Sequence, residues 1–319
     1  MIFEDLPTTP KSEELIDKAF SRAARSGRAK HGREAQESML QTASNILSDN
    51  LENVVTAWPD FDEVDPFYRE LADAVADVDE IRSSLSEVGW ASRKTKELGR
   101  EYQGKLPGDV EGARKLRKQG FARMGSVMRE IEDDLQYLND VRNDLAKLPD
   151  IRPDEPTIVV AGYPNVGKSS FVNTVTNARN ETAEYPFTTT GIRVGHVERE
   201  HIRYQLVDTP GLLDRPREER NDIENQAVSA VAHAADAVLF FLDASETCGY
   251  ELDDQYALLA GLREEFTDAP FVVACNKSDL STDAEADHYL SVETGENVGA
   301  VLGAAVEAVD YEPEFPFEG

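Results

Sequence analysis

The segment Thr157-Ile-Val-Val-Ala161 passes directly into Gly162-Tyr-Pro-Asn-Val-Gly167-Lys168-Ser169, and no other stretch narrows the fold as much. Five apolar or β-branched residues in a row read as a strand buried on both faces. Such strands belong to parallel sheets covered by helices. The pattern G-x4-G-K-S then makes a tight turn and opens a helix, with backbone N–H groups turned inward. A glycine turn alone does not account for a lysine and a serine at that spacing. Gly162, Tyr163, Pro164, Asn165, Val166, Gly167, Lys168, Ser169 and Ser170 are therefore candidate phosphate contacts. In such a loop the lysine supplies charge to β- and γ-oxygens, and the serine hydroxyl faces a magnesium ion.

Three more apolar runs follow: Ile202-Arg-Tyr-Gln-Leu-Val207, Val238-Leu-Phe-Phe-Leu242 and Phe271-Val-Val-Ala-Cys275. Helical stretches lie between them, so a doubly wound, mostly parallel α/β sheet is expected over 151–310. Two motifs sit at the ends of these runs. Asp208-Thr-Pro-Gly211 comes 39 residues after Ser169. A carboxylate there can reach magnesium through a water, and the glycine lets a backbone N–H approach a γ-phosphate. Asn276-Lys277-Ser278-Asp279 follows Cys275, and ligands of open sheets bind beyond such strand ends. A carboxylate at Asp279 can accept hydrogen bonds from N1 and the 2-amino group of guanine. Adenine offers neither in that arrangement, and unpaired groups are costly enough to select the base.

The first 150 residues have the period of helices. Asp65-Pro66 places a capping residue before a proline at the first helical position. Leu71, Val75, Val78, Ile81, Leu85 and Val88 then form one stripe. Met124, Val127, Ile131, Leu135, Leu138, Val141, Leu145 and Leu148 form a second, separated from the first by Pro107-Gly108. Shorter patterns cover 12–26 and 33–57, the latter ended by Trp58-Pro59. Four stripes must bury one another, so an all-α bundle over 1–150 is expected. A coiled-coil dimer is the alternative, and the short connections favour the bundle. Leu148-Pro-Asp-Ile-Arg-Pro-Asp-Glu-Pro156 joins the two parts, and residues 311–319 read as an acidic, flexible tail.

Charge excludes several classes. The 319 residues carry 33 Lys+Arg against 62 Asp+Glu, a net of −29, which rules out a uniformly basic nucleic-acid coat. The excess resembles that of proteins from salt-in halophiles, whose charged surfaces keep them in solution. Two cysteines cannot build a disulfide framework, and five scattered histidines lack metal-ligand spacing. Met1-Ile-Phe-Glu-Asp has neither a basic nor an apolar signal region, and the longest apolar run is far below the ~20 residues of a membrane span. A cytoplasmic protein with no membrane partner is expected.

The three ordered motifs resemble those of the translation-factor-related GTPases over about 155–308. Tyr185-Pro-Phe-Thr-Thr-Thr-Gly191 is similar to switch I of the Obg-like branch. That resemblance makes Thr189 the second magnesium ligand, with Thr188 and Thr190 adjacent, alongside Ser169 and Asp208. Ser291-Val292-Glu293 resembles the loop that supports the base, although the helix that usually precedes it has only 11 residues after Asp279 to form in. Leu212 stands where Ras-like enzymes place a water-positioning glutamine. In relatives with an apolar residue there, a phosphate-loop asparagine helps hold a potassium ion, and Asn165 matches it. The implied catalytic set is Lys168, Thr189, Gly211 and Asn165, with GTP/GDP, magnesium and potassium as ligands. With the helical part in front and Asp-Thr-Pro-Gly-Leu-Leu-Asp-Arg-Pro behind, the chain resembles an archaeal form of the nucleolar GTP-binding (NOG) family. The resemblance implies a GTP-hydrolysing factor, monomeric and slow on its own, that assembles the large ribosomal subunit.

Two basic windows interrupt the acid. Arg22, Arg25, Arg28, Lys30 and Arg33 fall in twelve residues without an acid, and residues 93–129 hold 11 cations against 4 acids. Solvated helix faces would explain them in an ordinary chain. Against this acidic background they point to contact with an RNA backbone, hence rRNA of the subunit precursor. A GTPase of tRNA modification or translation, and a GTP-ordered binding module with little turnover, are the alternatives.

Overall fold

The computed structural model describes residues 3, 6–147, 151–176, 181–183 and 192–311. Six helices come first: α1 (Ser12–Arg28), α2 (Gly32–Ala57), α3 (Pro66–Val75), α4 (Val78–Gly104), α5 (Val110–Glu130) and α6 (Glu132–Leu145). There follow β1 (Thr157–Ala161), α7 (Lys168–Val175), β2 (Glu181–Ala183), β3 (Ile192–Arg199), β4 (Ile202–Asp208), α8 (Asp222–Ala234), β5 (Ala237–Asp243), α9 (Leu252–Glu265), β6 (Phe271–Asn276), β7 (His288–Tyr289) and α10 (Val298–Val309). Among the described residues, no helix is long and apolar enough to cross a membrane. The expected tail lies outside them beyond Tyr311.

The helical unit comprises 6–63 and 76–146. Its helices bury stripes at three- and four-residue spacing: Leu15, Ala19 and Ala23 on α1, and Leu40, Ala43, Leu47, Leu51 and Val54 on α2. The backbones of α2 and α4 come close, because a Cβ on Gly99 would collide with Ser44 Oγ.

Both long stripes are broken by the fold. The stripe from Leu71 to Val88 belongs to two helices, since Asp77 accepts the N–H groups of Asp79 (2.8 Å) and Glu80 (3.3 Å) and starts α4 afresh. That cap sends the halves apart. α3, opened by Pro66 with the Phe67 N–H on Asp65 Oδ1 at 2.9 Å, packs against α8 and belongs to the α/β unit. The expected division at 150 leaves α3 on the other side. The stripe from Met124 bends at Ile131 (φ −101°, ψ 15°), where Glu132, Asp133 and Asp134 suit the start of a new helix. Its last member, Leu148, lies outside the described residues.

The α/β unit holds one seven-stranded sheet in the order β2-β3-β4-β1-β5-β6-β7. β4, β1, β5, β6 and β7 are parallel, and β3 runs antiparallel to β2 and β4. All five residues of β1 and all seven of β5 are buried, which explains why they read as unbroken apolar runs. The register pairs Val160 with Asp208, Ala161 with Phe240, and Asp243 with Asn276. The C-terminal ends of β1, β4, β5 and β6 thus share one edge of the sheet, with β5 and β6 reaching beyond the end of β1, and the motifs leave the sheet there. β2 and β3 give no apolar run, because β3 is buried at only three of its eight positions and exposed at its end, and β2 is three residues long.

Candidate functional site

Gly162 ends β1 with φ +129°, and a Cβ there would meet Phe241 O at 2.6 Å. Gly167 (φ +107°) is more crowded still, since a Cβ would collide with Asn276 Nδ2. Between them Asn165 takes the left-handed conformation (φ +64°) and is exposed. Pro164 is half-buried, and Val166 is buried. The Tyr163 ring turns away to stack on Tyr250 at 4.1 Å, which leaves its backbone to the loop.

Lys168 is 6% exposed and donates from Nζ to Gly162 O (2.5 Å) and Tyr163 O (2.9 Å). Burial pushes its ammonium pKa below the ordinary lysine value, with the carboxylates of Asp214 and Asp208 opposing. Ser169 Oγ donates to Asp208 Oδ2 at 2.5 Å, while Ser170 is exposed. Asp208 is fully buried, and its Oδ1 has no hydrogen-bond partner; neither has Thr209 Oγ1 beside it. Burial raises the Asp208 carboxyl pKa, and the Ser169 hydrogen bond opposes the rise. A hydroxyl and a carboxylate in contact, with one orphaned buried oxygen, are a donor set that fits a hard divalent cation. Gly211 (φ +80°) gives its N–H to Asp214 Oδ2 at 2.8 Å, and Leu212 is fully buried. Thr188, Thr189, Thr190 and the rest of 185–191 lie outside the described residues.

Asn276 joins the loops. Its Nδ2 donates to Val166 O at 2.8 Å, and its Oδ1 accepts the Val292 N–H at 3.1 Å. One buried amide thus ties the phosphate loop to Ser291-Val292-Glu293. Ser291 is buried and exchanges with its own turn, through its N–H to Glu296 O (3.1 Å) and the Thr294 N–H to its Oγ (3.2 Å). No helix forms between Asp279 and Ser291, where the chain makes turns and the two residues of β7. Asp279 is exposed after the left-handed Lys277 (φ +57°), and Glu293 is exposed as well.

Asp243, Thr247 and Gln255 belong to no sequence motif, and the motif residue Lys277 reaches the first two. Lys277 Nζ donates to Asp243 Oδ2 (2.7 Å) and Thr247 Oγ1 (2.9 Å), and Asp243 is fully buried at the end of β5. Burial alone would raise the Asp243 carboxyl pKa, but hydrogen bonds from Lys277, Ser245 and Thr247 hold it down. Gln255 locks the same turn, accepting the Asp243 N–H at 2.8 Å. The available signal was a carboxylate closing a buried run, as Asp208 does.

In the helical unit, Arg22, Arg25 and Arg28 are exposed along one side of α1, with Arg33 exposed beyond it; Lys30 pairs with Glu34 at 3.1 Å. The second window divides between α4, with Arg93, Lys96 and Arg100, and α5, with Arg114, Lys115 and Lys118. α1 and α5 meet through the stacked rings of Phe20 and Phe121 at 4.3 Å, with the Arg117 guanidinium 5.0 Å over the latter.

Residues 3–152 match the family model of the NOG1 N-terminal helical domain, and residues 157–277 match that of the 50S ribosome-binding GTPases. The chain is 38% identical over 289 residues to the uncharacterized protein MJ1408 of Methanocaldococcus jannaschii, covering 87% of this chain and 81% of that one. It is 39% identical over 236 residues to nucleolar GTP-binding protein 1 of Drosophila melanogaster, covering 73% and 36%. With the protein of that name from Arabidopsis thaliana the identity is 35% over 322 residues, covering 96% and 48%. The chain thus spans less than half the length of these two eukaryotic relatives.

Proposed function

Because the chain belongs to the nucleolar GTP-binding family, we propose that it is a GTP-hydrolysing assembly factor of the large ribosomal subunit, contacting rRNA through its helical unit. The observation that carries the nucleotide part is the Asn276 amide, which holds the phosphate loop and the 291–293 turn at fixed distance. A site that binds phosphate at one end and a base at the other needs that tie.

The positions of Lys168, Ser169, Asp208 and Gly211 support the following roles, and the role of Thr189 rests on the resemblance of 185–191 to switch I. Lys168 exchanges its two backbone carbonyls for β- and γ-oxygens, so its donors stay satisfied throughout. Ser169 and Asp208, with Thr189 by resemblance, would hold magnesium, which would neutralise charge on the phosphates. The Gly211 N–H meets the γ-phosphate. Asp279 accepts two hydrogen bonds from guanine, and the backbone of Ser291, Val292 and Glu293 closes over the base. Leu212 cannot position a water, so turnover by the free protein is slow. Asn165, exposed and left-handed, offers an oxygen to a potassium ion. Hydrolysis in potassium is expected to exceed that in sodium at matched ionic strength; equal rates remove the ion from the scheme.

Arg22, Arg25 and Arg28, with the cations of α5, supply the rRNA contacts, in a cytoplasmic and monomeric protein. Crosslinking the chain to cellular RNA and sequencing the product tests this, and large-subunit precursor rRNA is the expected species. Recovery of tRNA instead would favour a role in tRNA modification or translation. The buried Leu212 favours a second reading, a module ordered by GTP that barely turns it over. Hydrolysis that stays negligible when ribosomal particles are added would select it.

A further inference from the structure

Asp214 lies three residues past Gly211, inside the Asp-Thr-Pro-Gly-Leu-Leu-Asp-Arg-Pro stretch, which assigned it no role. Its Oδ2 accepts the Gly211 N–H at 2.8 Å. The Gly211 carbonyl is held too, accepting Arg215 Nη2 at 3.2 Å, and the same nitrogen lies 2.6 Å from Glu224 Oε1. Glu224 belongs to the capping box that starts α8. Its Oε2 accepts the Asn221 N–H and its own N–H donates to Asn221 Oδ1, both at 2.9 Å. Gly211 is thus clamped at both polar groups, and the clamp is anchored in a helix N-terminus. Asp214 is also the largest favourable charge acting on Lys168, ahead of Asp208.

A γ-phosphate needs a backbone donor at Gly211 and the lysine charge. The Asp214 carboxylate occupies the first and adds its charge near the second without touching it. It has the charge sign of a phosphate and the same taste for N–H donors. We propose that Asp214 sets the discrimination between guanosine triphosphate and diphosphate: its carboxylate holds the Gly211 N–H in the γ-phosphate's place and must leave before a triphosphate is gripped. This rests on the guanine-nucleotide reading above. A diphosphate lacks the group that competes for Gly211, so it binds without displacing Asp214. A triphosphate must break a charge-assisted hydrogen bond and push one anion away from another. Arg215 and Glu224 keep the glycine in place during the exchange, so that its N–H changes partner while its carbonyl does not.

The test is equilibrium binding of GDP and of a non-hydrolysable GTP analogue to the full chain, with magnesium present. Wild type is compared with Asp214→Ala and Asp214→Asn. Removing the carboxylate is expected to tighten the triphosphate analogue about tenfold and leave GDP unchanged. The asparagine keeps an acceptor oxygen and loses the charge, so it should give part of that gain. A merely structural role for Asp214 would weaken both nucleotides together. A triphosphate-to-diphosphate ratio that stays fixed or falls in both variants overturns the proposal, while wild-type GDP binding leaves the guanine-nucleotide reading standing. A wild-type chain that binds neither nucleotide overturns that reading, and the Asp214 gate with it.

Discussion

The two units bury different things. The helical unit buries apolar stripes and small hydroxyls such as Ser44, Ser48, Ser92 and Thr95, and keeps its cations on the outside. The α/β unit buries charge. Among the described residues, Lys168, Asp208, Arg220, Glu224 and Asp243 are all buried, and all belong to it. Ionised groups are expensive to take out of water unless paired, so a fold that buries five of them needs partners for each. Arg220 and Glu265 pair through two hydrogen bonds (2.7 and 2.9 Å), Glu224 caps a helix, and Asp243 meets Lys277. Lys168 and Asp208 are the exceptions. One rests on carbonyls alone and the other keeps an orphaned oxygen. The difference places the groups left open to a partner: in the α/β unit they are interior and incompletely paired, and in the helical unit they are surface cations.

Removing an interior group should therefore do the most damage. Lys168→Ala is expected to lower nucleotide affinity by roughly a hundredfold or more, since a charge-assisted contact in a desolvated site has no substitute nearby. Titration of a fluorescent guanine nucleotide measures this. Ser169→Ala should instead raise the magnesium needed for the same occupancy. Wild-type affinity in the lysine variant would mean that the phosphate site lies elsewhere.

Base selection comes next. Asp279→Asn reverses the polarity of one hydrogen bond, so GTP affinity should fall roughly ten- to a hundredfold and xanthosine triphosphate should gain. Wild-type protein that binds ATP and GTP equally would remove the role assigned to this carboxylate.

These two residues were legible in the sequence for a physical reason. A strand buried on both faces must be apolar almost throughout, so the polar groups that close it stand out: Asp208 and Asn276 end β4 and β6, Asp279 follows the latter, and Lys168 opens the helix after β1. Asp243 occupies an equivalent place without a motif around it, because its ion-pair partner Lys277 comes from the end of the next strand, 34 residues on. Asp214 stands in a stretch that the sequence marks, but its role lies in one hydrogen bond back from Gly211, which no pattern announces. In the helices the periodic stripes reported burial at most positions, with Val75 and Leu85 only half-buried, and gave no sign of which unit a residue is buried in. The stripe through Leu71 and Ile81 runs across the cap at Asp77, and its two halves serve different cores.

The surface partner of the helical unit is tested by charge. Reversing Arg22, Arg25 and Arg28 together to Glu should weaken binding to large-subunit precursors about tenfold, and reduce the salt slope by about one for each phosphate no longer neutralised. GTP affinity should not move. Arginine suits such sites at high salt, where the Debye length is only about 3 Å and long-range steering vanishes. Co-sedimentation at wild-type levels would reduce this window to a solvated face.

The smallest effect is the sharpest test of the comparison. Burial raises the Asp208 carboxyl pKa. A raised folded-state value stabilises the fold at low pH, below the ordinary carboxyl range, and that contribution is lost as pH rises through the raised value. At neutral pH the ionised Asp208 is therefore a net cost, one that a bound cation offsets. Asp208→Asn keeps the shape and removes the charge, so without magnesium the variant should melt a few degrees above wild type, for a gain of about 1 kcal/mol. The increment that magnesium and nucleotide add to wild type should shrink in the variant. Hydrogen exchange read in both units locates the change, because amides of β1 and β4 should gain protection while those of α2 and α4 stay as they were. A metal-free variant less stable than wild type would show that Asp208 is held for the fold and not for a ligand, and the contrast between the two units would lose its clearest instance.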